Sequence, residues 1–329
     1  MPGHEGGLVP QAMCRFSAAG LAVDRKARLD QAMTTSIHRP RRTVLYVPAS
    51  NAKALAKAPA LAADAVIFDL EDAVAPGEKE AAREALRQHF REHRQAAQER
   101  IIRINALSGE WGAEDLLAAR ACRPDAILLP KIDGPEGVLD AADALTETDA
   151  PDAIRLWIMI ETPRSLLNLP ALADLARQPT ARLDCFVAGT NDLVKDTGIA
   201  MSPDREFLRP LLLQMVLAAR AGGVTVLDGV SNQFRDLDAF AAECAQGARL
   251  GFDGKTLIHP AQIDPARSAF SPSIEAVEEA LAIRAAFAEP ANAGKGVISM
   301  DGRMVERLHL DQAERLLARA GHATETPQE

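Results

Sequence analysis

The chain has 329 residues, 37 of them Lys or Arg and 46 Asp or Glu, which gives a net charge of -9. A chain this acidic repels polyphosphate and anionic lipid surfaces, so we expect neither a nucleic acid nor a membrane as a partner. The apolar content of 47% is that of an ordinary soluble globular protein. The length suffices for one large α/β barrel or for two smaller domains.

The first 38 residues mix Gly, Pro, Arg and Asp and contain no apolar core of the length that a secretory signal needs. We therefore predict a disordered N-terminal extension at residues 1–38, with Met33 as a second candidate for the translation start. Four widely separated cysteines predict neither a disulfide framework nor a cysteine zinc site, which fits a cytoplasmic protein.

After Arg42, short β-rich runs alternate with longer helical stretches, which is typical of a parallel sheet with crossover helices. Strands are predicted at residues 43–47, 65–70, 100–104, 126–129, 156–160, 185–187, 224–227 and 249–252. Helices rich in Ala, Leu, Glu and Arg are predicted at 78–93, 113–122, 135–145, 205–221 and 236–246. Eight strand–helix units favour a (β/α)8 TIM barrel over residues 39–271, with a doubly wound open sheet as the alternative.

Beyond Pro272 the periodicity changes, and residues 272–329 form a C-terminal extension. A helix is predicted at 274–288, a hairpin around Asp301-Gly302, and a second helix at 310–320. The first helix carries an apolar stripe at Ile274, Val277, Ala280, Leu281 and Ile283. A segment this short lacks a core of its own, so we expect it to pack on the barrel or on a neighbouring subunit.

Polar residues follow nearly every predicted strand, at the barrel end where active sites form. In chain order they include Asp69, Glu71, Asp72, Arg103, Asn105, Lys131, Glu161, Asn191, Asp192, Asp228, Asp253 and Lys255. Crowded carboxylates repel one another unless a cation neutralises them, and the natural candidate is Mg²⁺.

Mg²⁺ takes one or two protein carboxylates, so we predict Glu161 and Asp192 as its ligands. Asp69, Glu71 and Asp72 are expected behind them, in contact with the ligands or their waters. The alternative, that these acids only cap helices after the strands, stays open.

Arg103 lies in the otherwise apolar run Ile101-Ile102-Arg103-Ile104, where an unpaired guanidinium is costly. It either clamps a substrate carboxylate or carbonyl, or forms a structural ion pair with the acids of the second strand. Both alternatives place the guanidinium at the carboxyl end of the barrel strands, which we call the mouth.

Seven motifs follow one another along the chain: Arg42-Thr43-Val44-Leu45-Tyr46-Val47-Pro48, Asp69-Leu70-Glu71-Asp72-Ala73-Val74, Arg103-Ile104-Asn105, Leu129-Pro130-Lys131, Ile160-Glu161-Thr162, Gly189-Thr190-Asn191-Asp192-Leu193, and Gly251-Phe252-Asp253-Gly254-Lys255-Thr256-Leu257-Ile258-His259-Pro260. Over residues 41–317 the chain resembles the citrate lyase beta-subunit-like branch of the HpcH/HpaI aldolase superfamily, which includes malyl-CoA and citramalyl-CoA lyases. The resemblance implies a (β/α)8 barrel with Mg²⁺ at Glu161 and Asp192 and a substrate-binding arginine at Arg103. We also expect substrate contacts from Arg42, Lys131 and Glu161.

The chemistry that the resemblance implies is carbon–carbon cleavage, often of a CoA thioester. Mg²⁺ then polarises the hydroxy acid, and Arg103 stabilises the enolate of the leaving thioester half. In the family the C-terminal segment of one subunit reaches over the site of the next, so we expect a homo-oligomer, a trimer or a hexamer.

Glu306 stands where CoA-dependent members of the family carry a catalytic aspartate, after Gly302-Arg303-Met304-Val305. We predict it as the acid or base that exchanges a proton with the substrate, although the longer side chain must be placed to within about 0.5 Å. The alternative is that the hairpin folds back on its own barrel and Glu306 is a solvated turn residue.

Three hypotheses about function follow. The leading one is a Mg²⁺-dependent lyase that cleaves a 3-hydroxy-dicarboxylyl-CoA, such as malyl-, citramalyl- or citryl-CoA, to an acyl-CoA and a 2-oxo acid. The second is a thioesterase on the same barrel. The third is a ligand-binding homologue without catalytic activity.

Overall fold

The computed structural model of the chain describes residues 39–300 and 302–321. Eight parallel strands pair in chain order, and the eighth pairs with the first to close a barrel. They are β1 (Thr43–Pro48), β2 (Ala65–Asp69), β3 (Glu99–Arg103), β4 (Ala126–Leu129), β5 (Arg155–Ile160), β6 (Leu183–Ala188), β7 (Thr225–Asp228) and β8 (Gly254–Leu257). The predicted TIM barrel is therefore confirmed, and the open sheet is excluded.

Ten α-helices connect or follow the barrel strands. They are α1 (Ala52–Lys57), α2 (Lys79–Glu92), α3 (Gly112–Cys122), α4 (Pro135–Glu147), α5 (Pro163–Leu167), α6 (Leu169–Ala176), α7 (Thr190–Thr197), α8 (Arg209–Gly222), α9 (Leu237–Leu250) and α10 (Ile263–Phe270). Short 3-10 turns lie at Ala58–Ala60, Pro76–Glu78, Pro179–Ala181 and Pro260–Gln262. No helix in the described ranges is long and apolar enough to cross a membrane.

The strands read as nearly continuous apolar runs because both of their faces are covered. Within β2, Ile67 points into the barrel and packs with Ile101 and Trp157. The neighbouring Phe68 points outward into the larger cluster formed by the helices. This alternation keeps most polar side chains near the strand ends, and Lys255 and Thr256 inside β8 are exceptions.

The predicted eighth strand is wrong by five residues. Residues 249–250 are the last turn of α9, which Gly251 ends with a φ of 98°. The strand begins instead at Gly254, where a side chain would collide with the backbone carbonyl of Arg41. Asp253 and Lys255 consequently do not follow the strand into the mouth.

The amino end of the barrel is closed by Arg41. Its Nη2 lies 2.6 Å from Glu99 Oε1 and 2.5 Å from Asp184 Oδ2, and its guanidinium covers the Trp157 ring at 4.6 Å. Arg41 precedes β1, Glu99 begins β3 and Asp184 is the second residue of β6, so ion pairs fill this end of the barrel.

The C-terminal extension consists of α11 (Ile274–Ala288), a 3-10 turn at Pro290–Asn292, the antiparallel hairpin β9 (Val297–Met300) and β10 (Arg303–Glu306), and α12 (Arg307–Arg319). The expectation that it lacks a core was wrong. Ala280 packs with Ala313 and Leu317, and Phe287 packs with Ile298 and Val305, in two small clusters of its own.

Most residues of the predicted apolar stripe of α11 pack against other residues of the extension. Val277, Leu281 and Ile283 pack beside Ala280 against α12, whereas Ile274 is 74% exposed. The predicted hairpin is present, but Asp301 at its turn lies outside the described residues, as do the predicted N-terminal extension and residues 322–329.

Candidate active site

The carboxyl ends of the strands surround a cavity of about 380 Å³. Five of the predicted site residues line it: Asp69, Asp72, Arg103, Glu161 and Asp192. Tyr46 of β1 also lines it, although sequence reasoning did not single that residue out. The size lies within the range of small-molecule sites, roughly 300–1,000 Å³.

Arg103 is held by the acids that follow β2. Its Nε and Nη2 donate to the two carboxylate oxygens of Asp69 at 2.7 and 2.6 Å, a bidentate pair. Its Nη1 lies 2.7 Å from Glu71 Oε2 and 3.3 Å from Asp72 Oδ2. The guanidinium also covers the ring of Tyr46 at 5.0 Å. The ion pair, one of the two alternatives from the sequence, therefore exists, and it holds the arginine at the edge of the cavity.

Glu71 is a buried carboxylate that is incompletely bonded. Its Oε2 lies at ion-pair distance from Arg103 but makes no hydrogen bond of acceptable geometry. Burial raises the pKa of Glu71 to about 8, against the opposing effect of the Arg103 charge, and the charge of Asp72 adds to the rise. A group that titrates in this range is suited to transferring protons near neutral pH.

Glu161 and Asp192 converge from β5 and from the first turn of α7, as predicted. Lys131 lies between them: its Nζ is 2.6 Å from Asp192 Oδ2 and 3.4 Å from Glu161 Oε1. Burial raises the pKa of Glu161, and Lys131 opposes that rise. For Asp192, burial also acts upward, but hydrogen bonds from Lys131 and Lys195 lower its pKa overall.

Two backbone features make room for this arrangement. Lys131 has a φ of 53°, and its backbone N–H donates to Glu161 Oε1 at 2.7 Å. Gly189 packs directly on Glu161, since a side chain there would collide with the glutamate and come within 2.8 Å of its Oε2. The glycine of the Gly189-Thr190-Asn191-Asp192 motif is thus needed for the carboxylate to face the cavity.

A buried lysine that sequence reasoning missed supports the acidic loop. Lys79 is 4% exposed, and its Nζ donates to the backbone carbonyls of Leu70 and Glu71 at 2.7 and 2.8 Å. It also donates to Asn105 Oδ1 at 3.0 Å, and Asn105 in turn bonds Asp115. In sequence, Lys79 looks like any lysine in the first turn of an amphipathic helix, so nothing local signals its role.

Some predicted residues lie elsewhere. Arg42 precedes β1 at the amino end of the barrel, where Asp64 and Ser271 bind its guanidinium. Arg42 therefore does not line the cavity, in contrast to the expectation that it contacts substrate there. Asp228 and Lys255 are both fully buried and paired at 2.9 Å beside Arg205, behind the mouth.

Glu306 ends β10 and caps α12. Its side chain accepts from the backbone N–H of His309, whose Nδ1 accepts from the N–H of Glu306 at 2.9 Å. It is not among the residues that line the mouth of its own described chain.

Two carboxylates of the mouth, Glu161 and Asp192, converge on a position where a cation could bind. In the described part of the chain, no three His, Cys, Asp or Glu side chains are arranged to hold a metal ion. Two carboxylates are nevertheless what Mg²⁺ commonly takes from a protein, with waters or substrate oxygens at its other positions. The Lys131 ammonium between Glu161 and Asp192 marks a position that suits a cation.

Residues 42–260 match the family described as HpcH/HpaI aldolase/citrate lyase. The match spans most of the barrel and includes every residue of the mouth described above. The chain therefore belongs to the HpcH/HpaI aldolase/citrate lyase family, as its motifs predicted.

Particular relatives differ in the reactions for which they are named. The (3S)-malyl-CoA thioesterase of Cereibacter sphaeroides is 46% identical over 281 residues, which span 85% of this chain and 95% of that protein. The citrate lyase subunit beta of Escherichia coli is 33% identical over 287 residues, or 86% and 94% of the two chains. CitE of Mycobacterium tuberculosis, solved with magnesium, acetoacetate and coenzyme A, has a TM-score of 0.67 at 31% identity and covers 86% of this chain and 99% of its own.

Proposed function

We propose that the protein is a Mg²⁺-dependent enzyme that acts on a 3-hydroxy-dicarboxylyl-CoA of the malyl-CoA type, and that it hydrolyses the thioester. The observation that carries the proposal is the convergence of Glu161 and Asp192 on one cation position beside Arg103 in the mouth. The magnesium and coenzyme A in the related CitE, and the thioesterase name of the relatives from Cereibacter, support it.

Glu161 and Asp192 would hold the metal. When bound there, Mg²⁺ supplies Lewis-acid polarisation of substrate oxygens. The chain's own side chains would bind and orient the substrate. Arg103, oriented by Asp69, would bind a carboxylate or carbonyl oxygen of the substrate. Lys131 would reach a substrate only after leaving the two carboxylates that it now contacts.

Glu71 is not among the residues that line the cavity, but it contacts Arg103 at the edge of the cavity and would move the proton in hydrolysis. The reaction adds water to the thioester carbonyl, breaks the carbon–sulfur bond, and releases the hydroxy acid and the CoA thiol. The attacking water must lose a proton and the departing sulfur must gain one. The raised pKa of Glu71 and its incompletely bonded Oε2 suit it to take up the first proton and deliver the second.

Carbon–carbon cleavage, the leading hypothesis from the sequence, is the second candidate. The citrate lyase relative favours it, and Arg103 can stabilise an enolate as well as a thioester oxyanion. It additionally needs a proton donor for the carbon left by bond cleavage. Glu306, the residue expected to fill that role, does not line the mouth of its own chain, so it would have to act on the site of a neighbouring subunit.

Product analysis with malyl-CoA and Mg²⁺ separates the candidates. Hydrolysis yields free CoA thiol and malate, whereas cleavage yields acetyl-CoA and a 2-oxo acid. Acetyl-CoA, offered alone, should release no thiol, which excludes cleavage followed by hydrolysis.

A metal-ligand variant and a matched control test the site. Glu161→Gln should lose at least about 100-fold in turnover, while Asp196→Asn, an exposed carboxylate near Asp192, should keep it. If malyl-, citramalyl- and citryl-CoA bind without turnover, the enzyme assignment fails and the ligand-binding homologue is favoured.

A further inference from the structure

The Lys131 ammonium lies at the cation position that the two proposed metal ligands define. It is 2.6 Å from Asp192 Oδ2 and 3.4 Å from Glu161 Oε1, and the Glu161 side chain is only 1% exposed. A buried carboxylate without a counter-charge is costly, and two of them facing each other are more so. The ammonium relieves both costs.

We propose that Lys131 is a built-in counter-cation, which holds Glu161 and Asp192 together in the metal-free protein and is displaced when Mg²⁺ binds. The inference rests on the proposed function, because it takes these two carboxylates as the metal ligands.

Displacement follows from the distances. A Mg²⁺ ion about 2.1 Å from Asp192 Oδ2 would lie within about 5 Å of the Lys131 ammonium, and the two cations repel each other. The Lys131 side chain is 35% exposed and has a flexible four-carbon stem, so it can turn toward solvent.

The backbone of Lys131 has a separate task. Its N–H donates to Glu161 Oε1 at 2.7 Å from a left-handed conformation that a surrounding fold must hold in place. This contact does not depend on the side chain. A substitution can therefore remove the counter-charge while the glutamate stays oriented.

Competition between the ammonium and the metal predicts a gain of affinity when the ammonium is removed. If the bound ammonium occupies the position in about 90% of molecules, Lys131→Met should bind Mg²⁺ about 10-fold more tightly than the wild type. Isothermal titration with MgCl₂ measures this directly.

Lys195 provides the matched control. Its ammonium lies 2.8 Å from the other oxygen of Asp192, but its side chain is 69% exposed and its ion pairs in the described residues are with Asp192 and Asp196 rather than with Glu161. Lys195→Met removes the same charge from the same carboxylate without clearing the position between the ligands. It should change Mg²⁺ affinity by less than about 2-fold, because exposed pairs are weak.

Melting temperature gives a readout that is independent of binding. In EDTA, Lys131→Met should melt at least about 2 °C below the wild type, because the two carboxylates face each other uncompensated. Saturating Mg²⁺ should abolish that difference. Lys131→Gln, which keeps a hydrogen-bond donor without a charge, serves as a second variant if the methionine protein folds poorly.

The Mg²⁺ affinities and melting temperatures together test the counter-cation proposal and the metal site separately. An equal gain of affinity in the Lys131 and Lys195 variants, or no gain in either while the wild type binds Mg²⁺, overturns the counter-cation proposal and leaves the metal site standing. Absence of Mg²⁺ binding by wild type and variants alike overturns both. A gain of Mg²⁺ affinity in the Lys131 variant alone, together with a loss of stability that appears only in EDTA, supports the counter-cation proposal.

Discussion

Arg103 is fixed by Asp69 on one edge, and its Nη1 faces two further carboxylates on the other. Asp69 takes two of its donors in a bidentate pair, while Nη1 faces Glu71 and Asp72 beside the cavity. A planar fork can bind a carboxylate on each edge, whereas an ammonium cannot. We propose that the Asp69 pair orients the arginine for a ligand, which would compete with Glu71 and Asp72 for Nη1.

Arg103→Lys should consequently lower kcat/KM by about 100-fold, the effect of losing one oriented donor at a developing charge. Arg100→Lys, in the same strand but beside Phe90 and away from the mouth, should stay near wild type. Steady-state kinetics on both proteins test this. A drop in melting temperature with normal kinetics in Arg103→Lys would assign the arginine to stability alone.

The raised pKa of Glu71 makes the stability of the folded chain depend on pH. That pKa is about 8 in the folded chain and 4.5 ordinarily, with burial as the main cause. Between these values the unfolded chain releases the proton and the folded chain keeps it, so this group's contribution to stability is full below pH 4.5 and lost as pH rises through 8.

Glu71→Gln removes that dependence while keeping the shape of the side chain. In EDTA, its melting temperature relative to wild type should rise steadily from pH 4.5 to pH 8 and then level off. Asp72→Asn, which removes a charge from a side chain 66% exposed, should give a much smaller trend. A flat difference for Glu71→Gln would contradict the raised pKa.

At the scale of elements, the acidic loop after β2 is held in place by a contact from α2. Lys79 at the start of α2 ties the carbonyls of Leu70 and Glu71 to Asn105, and its ammonium also lies 5.0 Å from the centre of the Trp111 ring. The acids that orient Arg103 therefore depend on a helix that never reaches the cavity.

Lys79→Met keeps the length of the side chain but leaves these buried acceptors without a donor, at about 1–3 kcal/mol for each unsatisfied group. We expect a melting temperature lower by on the order of 5 °C, together with a reduced kcat. Lys53→Met, an exposed lysine of α1, is the control and should change neither. Unchanged stability in Lys79→Met would mean that water replaces the ammonium.

At the scale of the whole molecule, the extension begins far from the mouth. Arg42, at the amino end of β1, binds Ser271 just before α11, so the chain leaves the barrel at the end opposite the cavity. This agrees with the position of Glu306 outside its own mouth. We propose that in carbon–carbon cleavage Glu306 would act on the site of another subunit in a homo-oligomer.

Mixing two inactive variants tests a shared site. If the protein cleaves a carbon–carbon bond at a shared site, Glu161→Gln and Glu306→Ala should each lack lyase activity alone, and mixed oligomers should recover part of it, because some sites then combine intact residues from two chains. Subunit exchange must be verified by mass. No recovery after exchange would exclude the shared site, and a fully active Glu306→Ala protein would remove the residue from the mechanism.

Much of the barrel was predictable from the sequence because local composition decides it. Seven of the eight strands overlap their predicted ranges, since strands covered on both faces are apolar throughout. The eighth was misplaced because β8 itself contains Gly254, Lys255 and Thr256 and reads as polar. Only its pairing with β1 and β7, and the ion pair of Lys255 with Asp228, make these residues buried.

The mouth was predictable to the extent that position along a strand determines which end a residue occupies. Glu161, Asp192, Arg103 and Asp69 follow or end strands, so a closed parallel barrel brings them together. The position of Arg42 before β1 already placed it at the amino end, but the contacts of Lys79 were not predictable, because a lysine in sequence carries no mark of its partner. Which carboxylate each cation reaches depends on distances between segments far apart in the chain, and only the tertiary structure decides those.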